Sequence, residues 1–327
     1  MDKPRVTLVI GNYDFVTPLI TGDVVAEAVD LVVEREPRAK AAERMMGDPT
    51  VPVGEMSLGR HLARLAAGDR SFVAIPFFPR RAFRHRTFYV RRGSPLKDFK
   101  DLIGKRVGTN DWPASGSIWA RAVLREAGVP IESIHWLVGS VEGAPISATR
   151  SQGKLPPYVQ LAPPDRPLRT MLIGGDLDAL MYSFVPSGFY EPDSPIVRLV
   201  PDFKRAEQEY YRRTGIYPTN HVVAFRQAAF SQRPWVARPI YEALVRSRQL
   251  WQEYRRYAAE TTPWLQADIE DAMALIGPDW DPSGVEANRV TVQTLCDELF
   301  AQGLIGQPLD AGTVFTEFEG VMAGAAV

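Results

Sequence analysis

Short apolar runs alternate with helix-like segments along most of this chain. Residues 6–10 and 72–75 predict buried strands, each bounded by polar turns or prolines. Between them, three leucines recur at i, i+4 and i+7, which predicts an amphipathic helix over residues 57–67 with Ser57 as its N-cap. Such alternation is typical of α/β layers, so we predict mainly parallel sheets.

The same alternation continues through the middle of the chain. Strand-like runs at residues 106–108, 134–138 and 177–181 are separated by helical patterns, and residues 234–327 are mostly helical. Residues 139–167 break the pattern with Gly, Ser and Pro, as a long loop over a site would. With 327 residues the chain is longer than a domain with a single hydrophobic core usually is. Together with the pattern of elements, this length predicts two α/β units and a helical C-terminus.

Composition narrows the class of protein. Hydrophobic residues make up 45% and charged residues 24% of the chain, as in ordinary globular proteins, and the formal net charge is −1. We therefore expect no general attraction to nucleic acid or anionic membranes. The single cysteine, Cys296, excludes an intrachain disulfide and lies at a predicted buried helix position. Without a leader-like or membrane-spanning run, we expect a cytoplasmic protein.

One segment concentrates positive charge. Arg80, Arg81, Arg84, His85 and Arg86 fall within seven positions, between two apolar strand-like runs. Arginine offers a planar, bidentate fork for carboxylate or phosphate, and histidine moves protons near neutral pH. A solvated charge run is the common interpretation of such a cluster. Here the apolar flanks favour a cluster that partly lines a cleft.

The histidines carry different expectations. His61 lies beside two arginines on the leucine-faced helix and is expected to be exposed, whereas His135 precedes Trp136 in a strand and is expected to be structural. His85 and His221 are the candidates for chemistry. For His221 alone, base rates favour core packing.

Two further polar pairs follow predicted strands, where side chains reach a cleft in α/β sheets. These are Glu55 with Ser57, and Asn12 with Asp14. An acid and a cap at a helix N-terminus explain them equally well. With His85 and His221, Glu55 or Asp14 would also complete a divalent-metal site, although no HxxxH, HxH or CxxC spacing supports one. No GxGxxG after a strand and no P-loop is present, so no organic cofactor is expected.

Several segments resemble known proteins. Three segments resemble those of proteins with a type II periplasmic-binding-protein fold: PLKDFKDLIGKRVG, GDLDAL and VVAFRQAAFSQRPW. That resemblance implies two α/β lobes with the ligand between them, and crossovers near residues 85–90 and 221–225. The implied domains are residues 1–87 (first lobe, first part), 88–226 (second lobe) and 227–327 (first lobe, second, helical part).

A more specific resemblance covers most of the chain. FFPRRAFRH, GTNDWPASGSIWARAVL, EQEYYRRTGIYPTNHVVAFR and WDPSGVEANRVTVQTLCDELFAQGLI resemble the 4,5-dihydroxyphthalate decarboxylase family, in the family's order. The resemblance implies loss of one carboxylate from a dihydroxyphthalate to give protocatechuate and CO2. It also raises His221, within one of these segments, to a candidate for catalysis.

The chemistry implied is proton transfer to an aromatic ring beside an anion clamp. His85 is the first candidate for the general acid, with His221 and Glu55 as further catalytic candidates; which histidine donates the proton stays open. Arg81 and Arg84 are the candidate carboxylate clamps. The remaining candidate substrate contacts are Asn12, Asp14, Ser57, Trp112 and Ser115.

Two other functions fit the same features. A solute-binding protein would capture a small aromatic carboxylate without chemistry, and a ligand sensor would use the same fold, although no DNA-binding segment precedes the lobes. The cofactor expectation is none, with a divalent metal as the competing interpretation. The expected partner is a small aromatic carboxylate, with no nucleic acid and no membrane, and assembly into a homo-oligomer is left open.

Overall fold

The chain folds into two compact α/β units. The computed structural model describes residues 3–143, 155–257 and 262–324. Unit 1 comprises the described residues of Met1–Arg81, Thr219–Asp297 and Gln307–Val327, and unit 2 those of Ala82–Pro218 and Glu298–Gly306. The finer division after residues 87 and 226 stays a prediction.

Unit 1 is built on a five-stranded sheet with the strand order β2-β1-β3-β11-β4. Its strands are β1 (Arg5–Gly11), β2 (Asp30–Glu36), β3 (Val53–Ser57), β4 (Phe72–Ile75) and β11 (His221–Arg226). Its helices are α1 (Thr17–Thr21), α2 (Arg38–Gly47), α3 (Leu58–Ala66), α7 (Gln227–Gln232), α8 (Ala237–Tyr257), α9 (Leu265–Leu275), most of α10 (Arg289–Ala301) and α11 (Thr316–Met322).

Unit 2 is built on a six-stranded sheet with the order β10-β5-β9-β6-β7-β8. Its strands are β5 (Phe88–Arg91), β6 (Arg106–Thr109), β7 (His135–Val138), β8 (Val159–Leu161), β9 (Ala179–Met181) and β10 (Ile196–Arg198). Its helices are α4 (Ser115–Glu126), α5 (Leu168–Gly174) and α6 (Phe203–Thr214).

Each sheet contains one reversed strand. In unit 1, β11 runs antiparallel to both β3 and β4, and in unit 2, β5 runs antiparallel to both β9 and β10. Strand β5 is the first that forms after the chain leaves unit 1 for unit 2, and β11 is the first after it returns to unit 1. The remaining strands of each sheet share one direction, so the sheets are mainly parallel, as predicted, with one reversed strand inserted in each.

The apolar pattern accounts for the cores. All four residues of Phe72–Ile75 are buried, which confirms that strand. The predicted amphipathic helix is α3, preceded by Ser57 at its N-cap, and it buries Leu58 and Leu62. Cys296 lies in α10 and is buried as predicted, and burial raises the pKa of its thiol to about 12.

Two sequence-based expectations need correction or limits, and the segment around His85 has a local structure of its own. His85–Thr87 form a 3-10 turn that leads directly into β5. His61 is buried and His135 is exposed, the reverse of what their neighbours in sequence suggested. The loop expected over residues 139–167 lies in part outside the described residues.

Candidate active site

A buried carboxylate lies where three strands of unit 1 meet. Glu55 is the third residue of β3 and is 0% exposed. Strand β1 runs parallel to β3, and β11 runs antiparallel to it, with His221 opposite Ser57. The carboxyl ends of β1 and β3 and the start of β11 therefore share one edge of the sheet.

Glu55 accepts hydrogen bonds from all three segments. The backbone N–H of Gly11, at the end of β1, donates to Oε2 at 2.7 Å. The hydroxyl of Tyr13 donates to Oε1 at 2.6 Å, and Nδ1 of His221 is hydrogen-bonded to the same oxygen. A buried carboxylate is stable only when its oxygens are bonded in this way.

These contacts decide the charge of Glu55. Burial raises the pKa of its carboxyl, but the His221 charge and the hydrogen bonds from His221, Tyr13 and Gly11 outweigh burial. The pKa of Glu55 therefore lies below its usual value of 4.5. At neutral pH Glu55 is ionised, so Nδ1 of His221 carries the proton that the two share.

Nδ1 of His221 orients its ring towards Glu55. The side chain of His221 is 13% exposed, and Nδ1 faces Glu55, which leaves Nε2 on the opposite side of the ring. This is the geometry of a histidine that an acid orients for proton transfer through Nε2. The structure thus brings together two of the three predicted catalytic residues, His221 and Glu55.

The other polar residues predicted at this edge have different surroundings. Asn12 is exposed, and its backbone N–H donates to the carbonyl of Glu36 at 2.9 Å. Asp14 is also exposed and lies 3.7 Å from Nη1 of Arg255. Ser57 is half-buried at the N-cap of α3, but its side chain makes no capping hydrogen bond.

In unit 2, Arg84 packs against the first turn of α4. Its side chain is only 2% exposed, so it is not part of a solvated charge run. A Cβ atom added at Gly116 would lie 2.9 Å from Nη2 of Arg84 and 2.6 Å from Oγ of Ser183, so only glycine allows this approach. Ser115 directly precedes Gly116 as the first residue of α4, and it is also buried. A guanidinium and a helix N-terminus together favour a bound anion.

His85 is enclosed by aromatic rings of unit 2. It is 4% exposed, and its ring centroid lies 5.4 Å from that of Tyr210 and 6.1 Å from that of Phe99. Its Nδ1 has no hydrogen-bond partner among the described residues. Burial, with a smaller effect of Arg213, lowers the pKa of His85 to about 4. His85 is therefore neutral at pH 7, which does not favour the predicted role of proton donor.

Two predicted substrate contacts are engaged in packing. Arg81 donates Nε to Asp281 at 2.5 Å and Nη2 to the carbonyl of Pro282 at 2.9 Å, which ties β4's exit to the loop before α10. Trp112 is 0% exposed, and the guanidinium of Arg121 lies 3.8 Å from its ring centroid. Neither environment favours the predicted contact with substrate.

The described part of the chain contains no group of three or more His, Cys, Asp or Glu side chains placed to hold a metal ion. Of the residues around Glu55, sequence reasoning missed Tyr13 and Gly11. Both lie in the turn that contains Asn12 and Asp14, and that turn was the only available signal. The contact itself joins residues 42 and 44 positions apart, which no local spacing reveals.

Comparison with known proteins identifies the family. No model of a known protein family matches the chain. A protein of Comamonas testosteroni named 4,5-dihydroxyphthalate decarboxylase is 30% identical over 321 residues, covering 96% of this chain and 97% of the relative. The chain belongs to the 4,5-dihydroxyphthalate decarboxylase family. A Pseudomonas putida protein of the same name is 30% identical over 215 residues, covering 65% of this chain and 83% of the relative. The resemblance stated from sequence segments is thereby confirmed.

Solved structures define the fold of this decarboxylase family member. The periplasmic aliphatic sulphonate binding protein of Escherichia coli matches with a TM-score of 0.54 at 13% identity, covering 95% of this chain and 97% of that one. The desulfurization enzyme DSZB matches with a TM-score of 0.54 at 16% identity, covering 98% and 99%. The periplasmic-binding-protein-like fold is confirmed. None of the described helices combines the length and the apolar composition that a membrane span requires.

Proposed function

We propose that this protein removes one carboxylate from a hydroxylated aromatic dicarboxylic acid, most specifically 4,5-dihydroxyphthalate, to give protocatechuate and CO2. The family supports the reaction class, because both relatives carry that name and one is matched over nearly its whole length. The pairing of ionised Glu55 with His221 is the observation that carries the proposal.

The reaction needs one proton and no redox partner. A hydroxyl para to the leaving carboxylate pushes electron density onto the ring carbon that bears it, and that carbon takes up a proton. The bond to the carboxylate then breaks, its electron pair restores the aromatic ring, and CO2 leaves. A positioned general acid accelerates such a step by about 10²–10⁴.

His221 is the proposed acid. Glu55 accepts the Nδ1 proton, so the second proton of the imidazolium is on Nε2, where it can pass to the ring carbon. The ionised carboxylate also stabilises the imidazolium before transfer and fixes the orientation of the ring. His85 stays the competing candidate from sequence, although its pKa of about 4 does not suit it to carry a proton at pH 7.

Arg84 is the proposed contact for a substrate carboxylate. Its guanidinium lies on the first turn of α4, whose backbone N–H groups add positive potential at the same place. Ser115 at the start of that helix supplies a hydroxyl. Arginine suits a carboxylate because its two parallel N–H groups match the two oxygens.

The second candidate function is capture of a small aromatic carboxylate without chemistry. It is favoured by the fold, because the solved structures that match include binding proteins such as the sulphonate binding protein of Escherichia coli. A binding protein needs an anion contact such as Arg84. It has no evident use for a buried acid that orients a histidine.

The deciding experiment compares three histidine variants with 4,5-dihydroxyphthalate as substrate. His221→Asn should lower kcat by about 10²–10⁴ while ligand affinity changes little, because the change removes the transferable proton. His85→Asn should lower kcat much less. His135→Asn, at an exposed position of unit 2, is the matched control. CO2 release and protocatechuate are measured together.

Other outcomes would redirect the proposal. A larger loss in His85→Asn than in His221→Asn would return the acid role to His85. Loss of activity with a chelator and its recovery with a divalent metal would reassign the histidines as ligands. Tight binding of aromatic carboxylates without any CO2 would replace the decarboxylase with the binding protein.

The cytoplasmic location and the oligomeric state stay predictions. We propose a cytoplasmic enzyme whose partner is the small aromatic substrate. Fractionation of cells that make the protein tests the compartment, and activity confined to the periplasmic fraction would contradict it.

A further inference from the structure

Tyr13 is a residue that the sequence analysis did not single out. It follows β1 by two positions, and its hydroxyl lies 2.6 Å from Oε1 of Glu55, the same oxygen that Nδ1 of His221 contacts. The side chain of Tyr13 is half-buried. Its effect on the Glu55–His221 pair follows from the hydrogen-bond donors around Glu55.

The ring of Tyr13 is held in place by its neighbours. It stacks on Phe15 with centroids 5.1 Å apart and planes 13° apart. Phe15 in turn packs edge-on against Phe77 and Trp251, and the guanidinium of Arg248 lies 4.8 Å from its centroid. A hydroxyl on a ring held this way keeps one direction at little entropic cost.

Three groups donate hydrogen bonds to the carboxylate of Glu55. The N–H of Gly11 can only donate, and it occupies Oε2. On Oε1, the Tyr13 hydroxyl and the His221 Nδ1–H both donate to the ionised carboxylate. By donating to Oε1, the Tyr13 hydroxyl lowers the proton affinity of the same oxygen that faces Nδ1 of His221.

We propose that Tyr13 is a positioning residue that keeps the exchangeable proton on His221, because its hydrogen bond makes Oε1 of Glu55 a weaker base. The inference rests on the proposed function of the Glu55–His221 pair. Tyr13 acts through Glu55 and has no proposed contact with the substrate. Its hydroxyl keeps Glu55 a pure acceptor, so that the imidazolium transfers its proton outward from Nε2.

The kinetic test is Tyr13→Phe, alone and combined with Glu55→Gln. Phenylalanine keeps the stack on Phe15 and removes only the hydroxyl. Alone, it should lower kcat about tenfold with little change in KM. In the Glu55→Gln background it should have almost no further effect, because its target is gone. Tyr241→Phe, also half-buried in unit 1 but outside this cluster, is the control and should match the parent.

A second measurement needs no turnover. Besides burial, the groups that act on the charge of Glu55 are His221, Tyr13 and the N–H of Gly11. Losing the Tyr13 donor raises the pKa of Glu55 towards 4.5, so stability that depends on its ionised form is reduced above pH 4.5. The destabilisation by Tyr13→Phe should therefore shrink as pH falls below 4.5, and the Glu55→Gln background should abolish that dependence.

The outcomes separate the two claims. Additive losses of kcat in the double variant, or a pH-independent destabilisation, would overturn the role of Tyr13. A parent without turnover would contradict the proposed function instead, and the pH dependence of unfolding would then decide the role of Tyr13.

Discussion

At the scale of the residue, one carboxylate in unit 1 serves two buried arginines. Asp281 lies 2.5 Å from Nε of Arg81 and 3.2 Å from Nη1 of Arg248, whose side chains are 4% and 3% exposed. Arg248 also donates to the carbonyl of Phe78 at 2.8 Å. Removing the negative charge would leave two buried cations without their counter-ion.

Asp281→Asn should therefore destabilise the protein by about 3–5 kcal/mol. Asparagine keeps the size of the side chain, so the loss reports charge and not a cavity. Asp202→Asn, which removes an exposed pair with Arg205, is the matched control and should cost at most about 1 kcal/mol. Urea unfolding measures both, and equal losses would show that the buried pairs contribute no more than the surface one.

At the scale of the element, α4 combines with Arg84 into one positively charged group. The guanidinium can lie on the first helical turn only because position 116 has no side chain. The loop before the 3-10 turn at His85–Thr87 supplies the arginine, and the start of α4 supplies the N–H groups. Neither element alone would bind a carboxylate strongly.

Arg84→Ala should weaken binding of 4,5-dihydroxyphthalate by about 2–5 kcal/mol, the cost of losing a charge-assisted contact in a desolvated place. Gly116→Ala should weaken it as well, because the new methyl group displaces the guanidinium. Titration calorimetry measures the affinity in the His221→Asn background, in which turnover is slow. Arg86→Ala, at a side chain 42% exposed, is the control. Unchanged affinity in Arg84→Ala would assign the carboxylate contact to other residues.

At the scale of the whole molecule, each unit buries one neutral histidine. Burial lowers the pKa of His61 in unit 1 and of His85 in unit 2 from 6.5 to about 4. The unfolded chain therefore binds more protons than the folded one between these pH values. Stability from both groups is fully present above pH 6.5 and decreases as pH falls to about 4.

The free energy of unfolding should accordingly fall steadily from pH 6.5 to about 4. His61→Gln removes one of the two groups and should make the decline shallower. His135→Gln, at an exposed position, should leave the slope unchanged. Denaturant unfolding at a series of pH values measures the slope. A flat profile over this window would mean that neither histidine is buried in its neutral form.

Local pattern was a good guide to elements and a poor guide to the surroundings of single side chains. The apolar run Phe72–Ile75 is a strand because four consecutive residues of that kind are buried on both faces. The predicted exposure of His61 was wrong, because the prediction rested on its arginine neighbours in sequence, whereas His61 lies on the buried face of α3. The neighbouring arginines of the cluster also have different surroundings: Arg81 binds Asp281, and the guanidinium of Arg84 packs against α4.

The sequence by itself determined the alternation of strands and helices, the burial of Cys296 and the family, because these depend on neighbouring residues or on whole segments. Only the tertiary structure decided the composition of the candidate site. Tyr13 and His221 reach Glu55 across 42 and 166 positions, since β1 and β11 both pair with β3. Hydrogen bonding and charge at that meeting point, which no sequence spacing encodes, are what make Glu55 an ionised partner for His221.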